Sequence, residues 1–338
     1  MIEVRAGGHI TLIFTVEKQE RLYRDQGSRG IGFSIDKGVR VKVTLEDPSS
    51  TIPRSKFSVG TAPDDPIDLE AGRCSFTIRD MYGQPIEDAS MYERFIEACL
   101  EIGLIKPHES FSFDIDIECP ISQGFGMSAA GLISLGKAIH ASTGRGTQEQ
   151  FLRIAHRIER MMSGGLGDVL GASVGGVELR LVPGAPGWPG KAVSFGIDEK
   201  ILLVWNESEN RHTSNYIDDE HWMSKITSAG IQSLNEFAEQ DWSVEIWDEI
   251  LMQSKHFGEA SGLESEPIRR ELLDKIQLCI KENDLSESVE SRLCMLGNSV
   301  AIVPKTLNSK NEDWHDVLQE SVHQQGLNTM VAHITPLL

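Results

Sequence analysis

Positive charge is in short supply. In 338 residues, 32 lysines and arginines stand against 51 aspartates and glutamates, a formal net charge of −19. A surface of that sign repels polyanions, which excludes a generic binder of nucleic acid or of an anionic membrane. Cysteine is scarce as well. The five present (Cys74, Cys99, Cys119, Cys279 and Cys294) are odd in number, scattered, and without C-x-x-C spacing, so a disulfide framework and a cysteine-built zinc site are both excluded in favour of reduced, buried thiols. No apolar run approaches the ~18–20 residues of a membrane-spanning helix. No leader-like pattern follows Met1-Ile2-Glu3-Val4-Arg5. There is no internal repeat and no low-complexity tract. With 40% hydrophobic and 25% charged residues, the expectation is a soluble, cytoplasmic globular chain of about two domains.

What is present reads as mixed strands and helices. β-branched and apolar residues dominate from Ile10 to Phe14 and from Val39 to Leu45. Phe111, Phe113, Ile115 and Ile117 alternate with Ser112, Asp114, Asp116 and Glu118, the period of a strand with one buried face. A helix of small and apolar residues is expected from Ser128 to about Thr143. A second runs from about Gln148 to Met162, with Phe151, Ile154, Ala155, Ile158 and Met161 on one face. Val177, Leu179 and Leu181 mark a further strand, ended by the proline- and glycine-rich stretch 183–190, a domain linker or large surface loop. Beyond it come a strand (201–205), acidic helices (about 219–260 and 266–283), a strand (299–303), a helix near 313–324 and a last strand near 329–335. The architecture predicted is α+β, with domains at 1–188 and 189–338. The net charge divides unequally between them, −5 and −14.

The chemistry is expected at Pro120-Ile121-Ser122-Gln123-Gly124-Phe125-Gly126-Met127-Ser128-Ala129-Ala130, a strand end, a glycine loop and a helix start in succession. Glycines let backbone N–H groups approach phosphate oxygens, and the helix N-terminus adds about half a positive charge. Ser128 adds a hydroxyl for phosphate or Mg²⁺. The plainer reading is a tight strand-to-helix turn. Glu159 and Asp168 are separated by Ser163-Gly164-Gly165-Leu166-Gly167, so they cannot share a helix face but can converge in a cleft. One carboxylate holding Mg²⁺ and another receiving a hydroxyl proton is what phosphoryl transfer needs. Taken singly, Glu159 reads as a solvated helix residue and Asp168 as a helix N-cap.

The glycine loop resembles the phosphate loop P-x-x-x-G-L-G-S-S-A of the GHMP kinases, with Phe125 for leucine and Met127 for the first serine. The G-x-x-x-x-G-K-[ST] motif is absent. Further segments resemble the archaeal pantoate kinase family: Gly8-His9-Ile10-Thr11, Gly27-Ser28-Arg29-Gly30-Ile31-Gly32, Gly124 to Ser128, Ile154-Ala155-His156-Arg157-Ile158-Glu159, Gly165-Leu166-Gly167-Asp168, Gly175 to Arg180, and Met295-Leu296-Gly297-Asn298. His9 stands where mevalonate kinases carry the lysine of A-P-G-K. The third GHMP motif keeps one glycine, Gly297.

That resemblance implies a GHMP kinase fold, with an N-terminal ribosomal-protein-S5-like domain, a C-terminal ferredoxin-like domain and ATP in the cleft between them. It implies transfer of the ATP γ-phosphate to the 4-hydroxyl of (R)-pantoate in coenzyme A synthesis. Gly124, Phe125, Gly126, Met127, Ser128 and Ala129 would surround the phosphates, Ser128 and Glu159 hold Mg²⁺, and Asp168 act on the attacking hydroxyl. Ser28, His156 and Arg180 would bind pantoate, arginine offering a planar fork to a carboxylate. In the residues alone, His156 is a polar-face helix residue and Arg180 an outward strand residue in an ion pair. Alternatives on the same scaffold are a mevalonate- or homoserine-type kinase and a non-catalytic nucleotide or metabolite sensor. Surplus length relative to the family falls in 46–72, 183–197 or the acidic helices. An exposed sheet edge leaves a homodimer open.

Overall fold

A computed structural model describes residues 1–46, 59–60, 66–67, 74–207, 214–307 and 314–336; most of the 46–72 segment lies outside them. The long apolar N-terminal segments form β1 (Ile2–Phe14) and β2 (Gly30–Glu46), paired antiparallel from Ile2↔Val43 to Phe14↔Gly30. Two short strands, β3 (Val59–Gly60) and β4 (Pro66–Ile67), pair with each other. There follow β5 (Cys74–Arg79), α1 (Ser90–Glu101), β6 (Ser110–Ile117), α2 (Met127–Thr143), α3 (Gln148–Met161), α4 (Asp168–Val174), β7 (Val177–Val182) and β8 (Lys191–Phe195). After these come β9 (Glu199–Trp205), α5 (Ser214–Ile217), α6 (Glu220–Asn235), α7 (Trp247–Ser261), α8 (Pro267–Glu282), β10 (Val289–Leu293), β11 (Ser299–Pro304), α9 (Trp314–Gln324) and β12 (Asn328–Ile334). The α+β expectation holds.

Apart from β3 and β4, the described strands join one sheet in the order β10-β11-β9-β12-β2-β6-β5, with β1 and β7 also on β2 and β8 on β7. Only β5 and β6 run parallel. One edge of β2 is covered by β1, and the other is shared by β7 at 30–33, β12 at Ile35 and β6 at 39–46. Such a strand must be apolar, and Ile31, Phe33, Ile35, Val39, Val41 and Val43 are all buried. Residues 183–190 join β7 to β8 as a surface loop whose Ala185 amide donates to the Arg24 carbonyl (2.8 Å) and whose Trp188 stacks under Arg24.

The small residues of α2 let it lie close to β1 and β2. A Cβ at Gly131 would stand 2.4 Å from the Tyr92 hydroxyl and one at Gly136 2.8 Å from Phe151, and Ser134 donates to the Val39 carbonyl at 2.7 Å. Thr147 and Gln150 form a reciprocal capping box that starts α3. All five cysteines are free and buried. No described helix is long and apolar enough to cross a membrane.

Candidate active site

A cleft of about 430 Å³ opens where β1, the 120–128 loop and the 162–168 turn meet. Its walls come from both sides of residue 188, since Ile217, Met295 and Leu296 also line it. Its lining includes the apolar side chains of Ile78, Ile86, Met91, Ile117 and Ile121, with Asp88 and Ser90 among them, and the polar Thr11, Ser28, Ser128, Glu159 and Asp168.

Gly124 and Gly126 carry positive φ angles, +79° and +69°, which glycine adopts without steric cost. Their bare Cα atoms also meet protein. A Cβ on Gly124 would sit 2.6 Å from the Cys294 carbonyl, and one on Gly126 2.8 Å from the His9 backbone. The loop is thus clamped between β1 and the 294–297 turn, and the His9 amide donates to the Phe125 carbonyl at 3.0 Å. Arg269 fixes that turn from behind, donating to the Gly297 and Leu296 carbonyls at 3.0 and 2.6 Å. Gly126 caps α2 without a side-chain bond. The amides of the first turn therefore face the cleft with the positive end of a 17-residue helix behind them. Gly124, Phe125, Gly126, Met127 and Ser128 line the cleft, whereas Ala129 is fully buried beneath it.

The two carboxylates converge. A Cβ at Gly165 would lie 2.0 Å from Asp168 Oδ2 and 2.6 Å from Glu159 Oε2, so both oxygens face the same glycine. Glu159 is 2% exposed rather than solvated. Burial, followed by the charge of Asp168, pushes its carboxyl up to about 7, against the opposing influence of the Ser128 hydroxyl and Arg160. Its Oε2 has no hydrogen-bond partner. Asp168 is the first residue of α4 and not its cap; Gly167 holds that position. Burial acts to raise the Asp168 carboxyl, but the hydrogen bond and charge of His9, with the charge of Arg180, hold it below its ordinary value. Arg160 secures the turn between them by donating to the Gly164 and Gly165 carbonyls at 3.0 and 3.1 Å.

Ser28 lines the cleft, but His156 and Arg180 are not among the lining residues. His156 is buried, with Nε2 3.1 Å from the Tyr23 carbonyl and 3.0 Å from that of Gln26. It ties the chain leading to Ser28 onto α3. Burial is the main cause of its pKa falling to about 4, so the ring is neutral and donates through Nε2. Arg180 points inward, not outward, and its Nη1 donates to Glu178 Oε1 at 3.1 Å. Its Nε has no partner and lies with Ser28 Oγ under Gly167.

The β7 pattern conceals this arrangement. Val177, Glu178, Leu179 and Arg180 are all buried, and it is Leu181 that is exposed. Glu178 and Arg180 reach across β2, where Gly32 and Gly30 are their register partners and present no side chain. On the far side stand Thr11, paired with Gly32, and His9, paired with Ser34. His9 Nδ1 is 2.8 Å from Asp168 Oδ1 and Nε2 is 2.9 Å from Glu178 Oε1. Sequence reading treated His9 as a mere replacement and missed Thr11, Glu178 and Arg160. The available signal was two glycines alternating within a strand, a mark of close approach by neighbours.

Residues 89–176 match the family model described as the GHMP kinases N terminal domain. The chain is similar to the pantoate kinase of Methanocaldococcus jannaschii, 25% identical over 313 residues, 93% of this chain and 94% of that protein. It is also similar to the pantoate kinase of Thermococcus kodakarensis, 27% identical over 271 residues, 79% of each chain. Among solved structures, a phosphotransferase related to the CoA biosynthesis pathway superposes with a TM-score of 0.71 at 22% identity, spanning 99% of this chain and 96% of the other. A mevalonate kinase superposes with a TM-score of 0.64 at 13% identity, spanning 99% and 100%. By its fold, then, this chain has the GHMP kinase architecture, and by sequence it is similar over most of its length to the pantoate kinases.

Proposed function

We propose that the chain phosphorylates (R)-pantoate on its 4-hydroxyl with ATP, giving (R)-4-phosphopantoate for coenzyme A synthesis. The observation that carries this reading is the meeting of Ser128, Glu159 and Asp168 at the N-terminus of α2, in one cleft that is also lined by Ile78, Ile86, Met91 and Ile117. Such apolar side chains suit a nucleobase, and the first-turn amides of α2 suit the phosphates. The acceptor enters between Ser28 and Asp168.

A divalent cation fits the residues present. Glu159 is a buried carboxylate with an unpartnered oxygen and a raised pKa, beside a hydroxyl. Mg²⁺ is commonly held by one or two carboxylates together with substrate phosphates. Ser128 and Glu159 would hold it, and bound there it would offset the charge of the β- and γ-phosphates. The chain's own residues do the rest. Asp168 Oδ2 takes the proton of the acceptor hydroxyl as that oxygen attacks the γ-phosphorus and ADP departs. His156 and Arg160 fix the backbone on either side, the one holding the approach to Ser28 and the other the Gly164-Gly165 turn. Catalysis on this account is positioning and fixed electrostatics.

The test is ADP release measured in parallel with pantoate, mevalonate and homoserine. Pantoate is expected to support turnover and the others at most a few per cent of it. Turnover on mevalonate or homoserine but not pantoate would transfer the reading to that acceptor. Binding of nucleotide and pantoate without ADP formation would make the chain a sensor.

A further inference from the structure

Behind Asp168 lies a buried chain of charges in which His9 and Glu178 have no role in the reading above. It runs from Arg180 Nη1 to Glu178 Oε1 (3.1 Å), from there to His9 Nε2 (2.9 Å), and from His9 Nδ1 to Asp168 Oδ1 (2.8 Å). The side chains of His9, Glu178 and Arg180 are wholly buried. Room for the imidazole comes from two glycines. A Cβ on Gly171 would be 2.3 Å from His9 Nε2 and one on Gly32 3.0 Å from it.

The chemistry of the partners fixes the protonation of the ring. An ionised carboxylate only accepts hydrogen bonds, so a histidine set between two ionised carboxylates donates from both ring nitrogens. The set of two acids and two bases is then neutral inside the protein, as a buried cluster must be. No other titratable side chain faces the ring among the described residues. Asp168 comes from α4, Glu178 and Arg180 from β7, while β2 presents Gly32 and Ser34 and β1 itself Thr11.

The two oxygens of Asp168 consequently do different things. Oδ1 receives His9 and, at 3.4 Å, the Thr11 hydroxyl. Oδ2 is turned towards Gly165 and Glu159. We infer that His9 is a positioning residue for the transfer: a permanent imidazolium, fixed by Glu178, that ties down Oδ1 of Asp168 and keeps Oδ2 ionised and aimed at the acceptor hydroxyl. His9 itself never exchanges a proton with substrate. The hydroxyl proton passes to Oδ2 while the new O–P bond forms and the bond to ADP breaks, and both ring protons stay in place. Glu178 serves the site by keeping His9 charged, and Arg180 by balancing Glu178. This inference rests on the kinase reading above only for its catalytic consequence.

Two measurements test it separately. In ¹⁵N-histidine NMR of the wild-type chain without ligands, the His9 ring is expected to show both nitrogens protonated at pH 7.5 and to lose a proton only near pH 9. A neutral His9 ring at pH 7.5 would overturn the inference, whatever the substrate. In Glu178→Gln the imidazolium loses one of its two anions. The alkaline limb of kcat with ATP and pantoate is then expected to move down by about one pH unit or more, while KM for ATP stays within about twofold. An alkaline limb left in place in a folded Glu178→Gln protein would equally overturn it. If no acceptor is phosphorylated by the wild type, the kinase reading fails, and the NMR result still decides the state of His9.

Discussion

Two histidines, His9 and His156, lie behind the lining of the cleft, and both are about 1% exposed or less. Burial penalises the charged form of each. They nevertheless end on opposite sides of the ordinary value. His9 sits between Asp168 and Glu178, whose full charges outweigh burial and raise its pKa to about 9. His156 faces two backbone carbonyls, which are dipoles and not charges, and its pKa falls to about 4. One buried histidine thus stands between two carboxylates that favour its charged form, and the other against carbonyls that leave it neutral. What a buried group is surrounded by, and not depth, decides its role.

The same comparison sets opposite pH dependences. The folded pKa of His9 is raised above its unfolded value, so its contribution to stability is complete below about 6.5 and is lost as pH rises through about 9. For His156 the folded value is depressed, so its contribution is complete above about 6.5 and is lost as pH falls towards about 4. Each is worth about 3 kcal/mol.

The comparison can be broken most severely at its charged member. Replacing His9 by leucine leaves Asp168 and Glu178 buried with only Arg180 to balance them, and is expected to cost about 3–5 kcal/mol in urea unfolding at pH 7.5. His156→Leu should cost less there, about 1–3 kcal/mol for two carbonyls that lose their donor. It should also lose less stability than wild type on acidification from pH 6.5 to 4; an unchanged acid arm would mean that His156 is not neutral in the folded state. Gly32→Ala brings a methyl 2.3 Å from the Ile10 carbonyl and 3.0 Å from both His9 Nε2 and Glu178 Oε1. About 1–3 kcal/mol of destabilisation is expected, with the NMR signature of the doubly protonated ring lost or shifted. Thr147→Ala removes the capping box of α3, the helix that carries His156 and Glu159, at about 1 kcal/mol. Neither histidine should change its titration, which separates loss of helix stability from loss of local charge.

Much of this was legible in the chain. The alternation at 111–117, the small residues of α2 and the apolar face of α3 each announced their elements, because packing against one layer imposes a period. The glycine loop and the two carboxylates were found by order and spacing. Their convergence on Gly165 depends on a turn whose geometry no period encodes. The other half of the site was hidden for a physical reason. In β1 and β7, His9 lies 169 residues from Glu178 and Thr11 169 from Arg180, and they meet only because β2 runs between them with glycine at 30 and 32. In β7 the polar residues looked solvent-facing, since a buried charge pair has the same alternation as an exposed one. His156 was given to the acceptor by resemblance, whereas in the structure its ring is turned to the 23–26 backbone. The charge of −19 likewise says little about an anionic substrate, because what would meet the anion is local, the start of α2.

The central claim is that Asp168, one oxygen held and one free, receives the proton of a pantoate hydroxyl during transfer from ATP. Steady-state ADP release with ATP and pantoate, compared between wild type and Asp168→Asn, tests it directly. The account predicts pantoate-dependent turnover in the wild type and a fall in kcat of about 10³-fold in the variant, with KM for ATP little changed. Turnover within about tenfold of wild type in Asp168→Asn would contradict it.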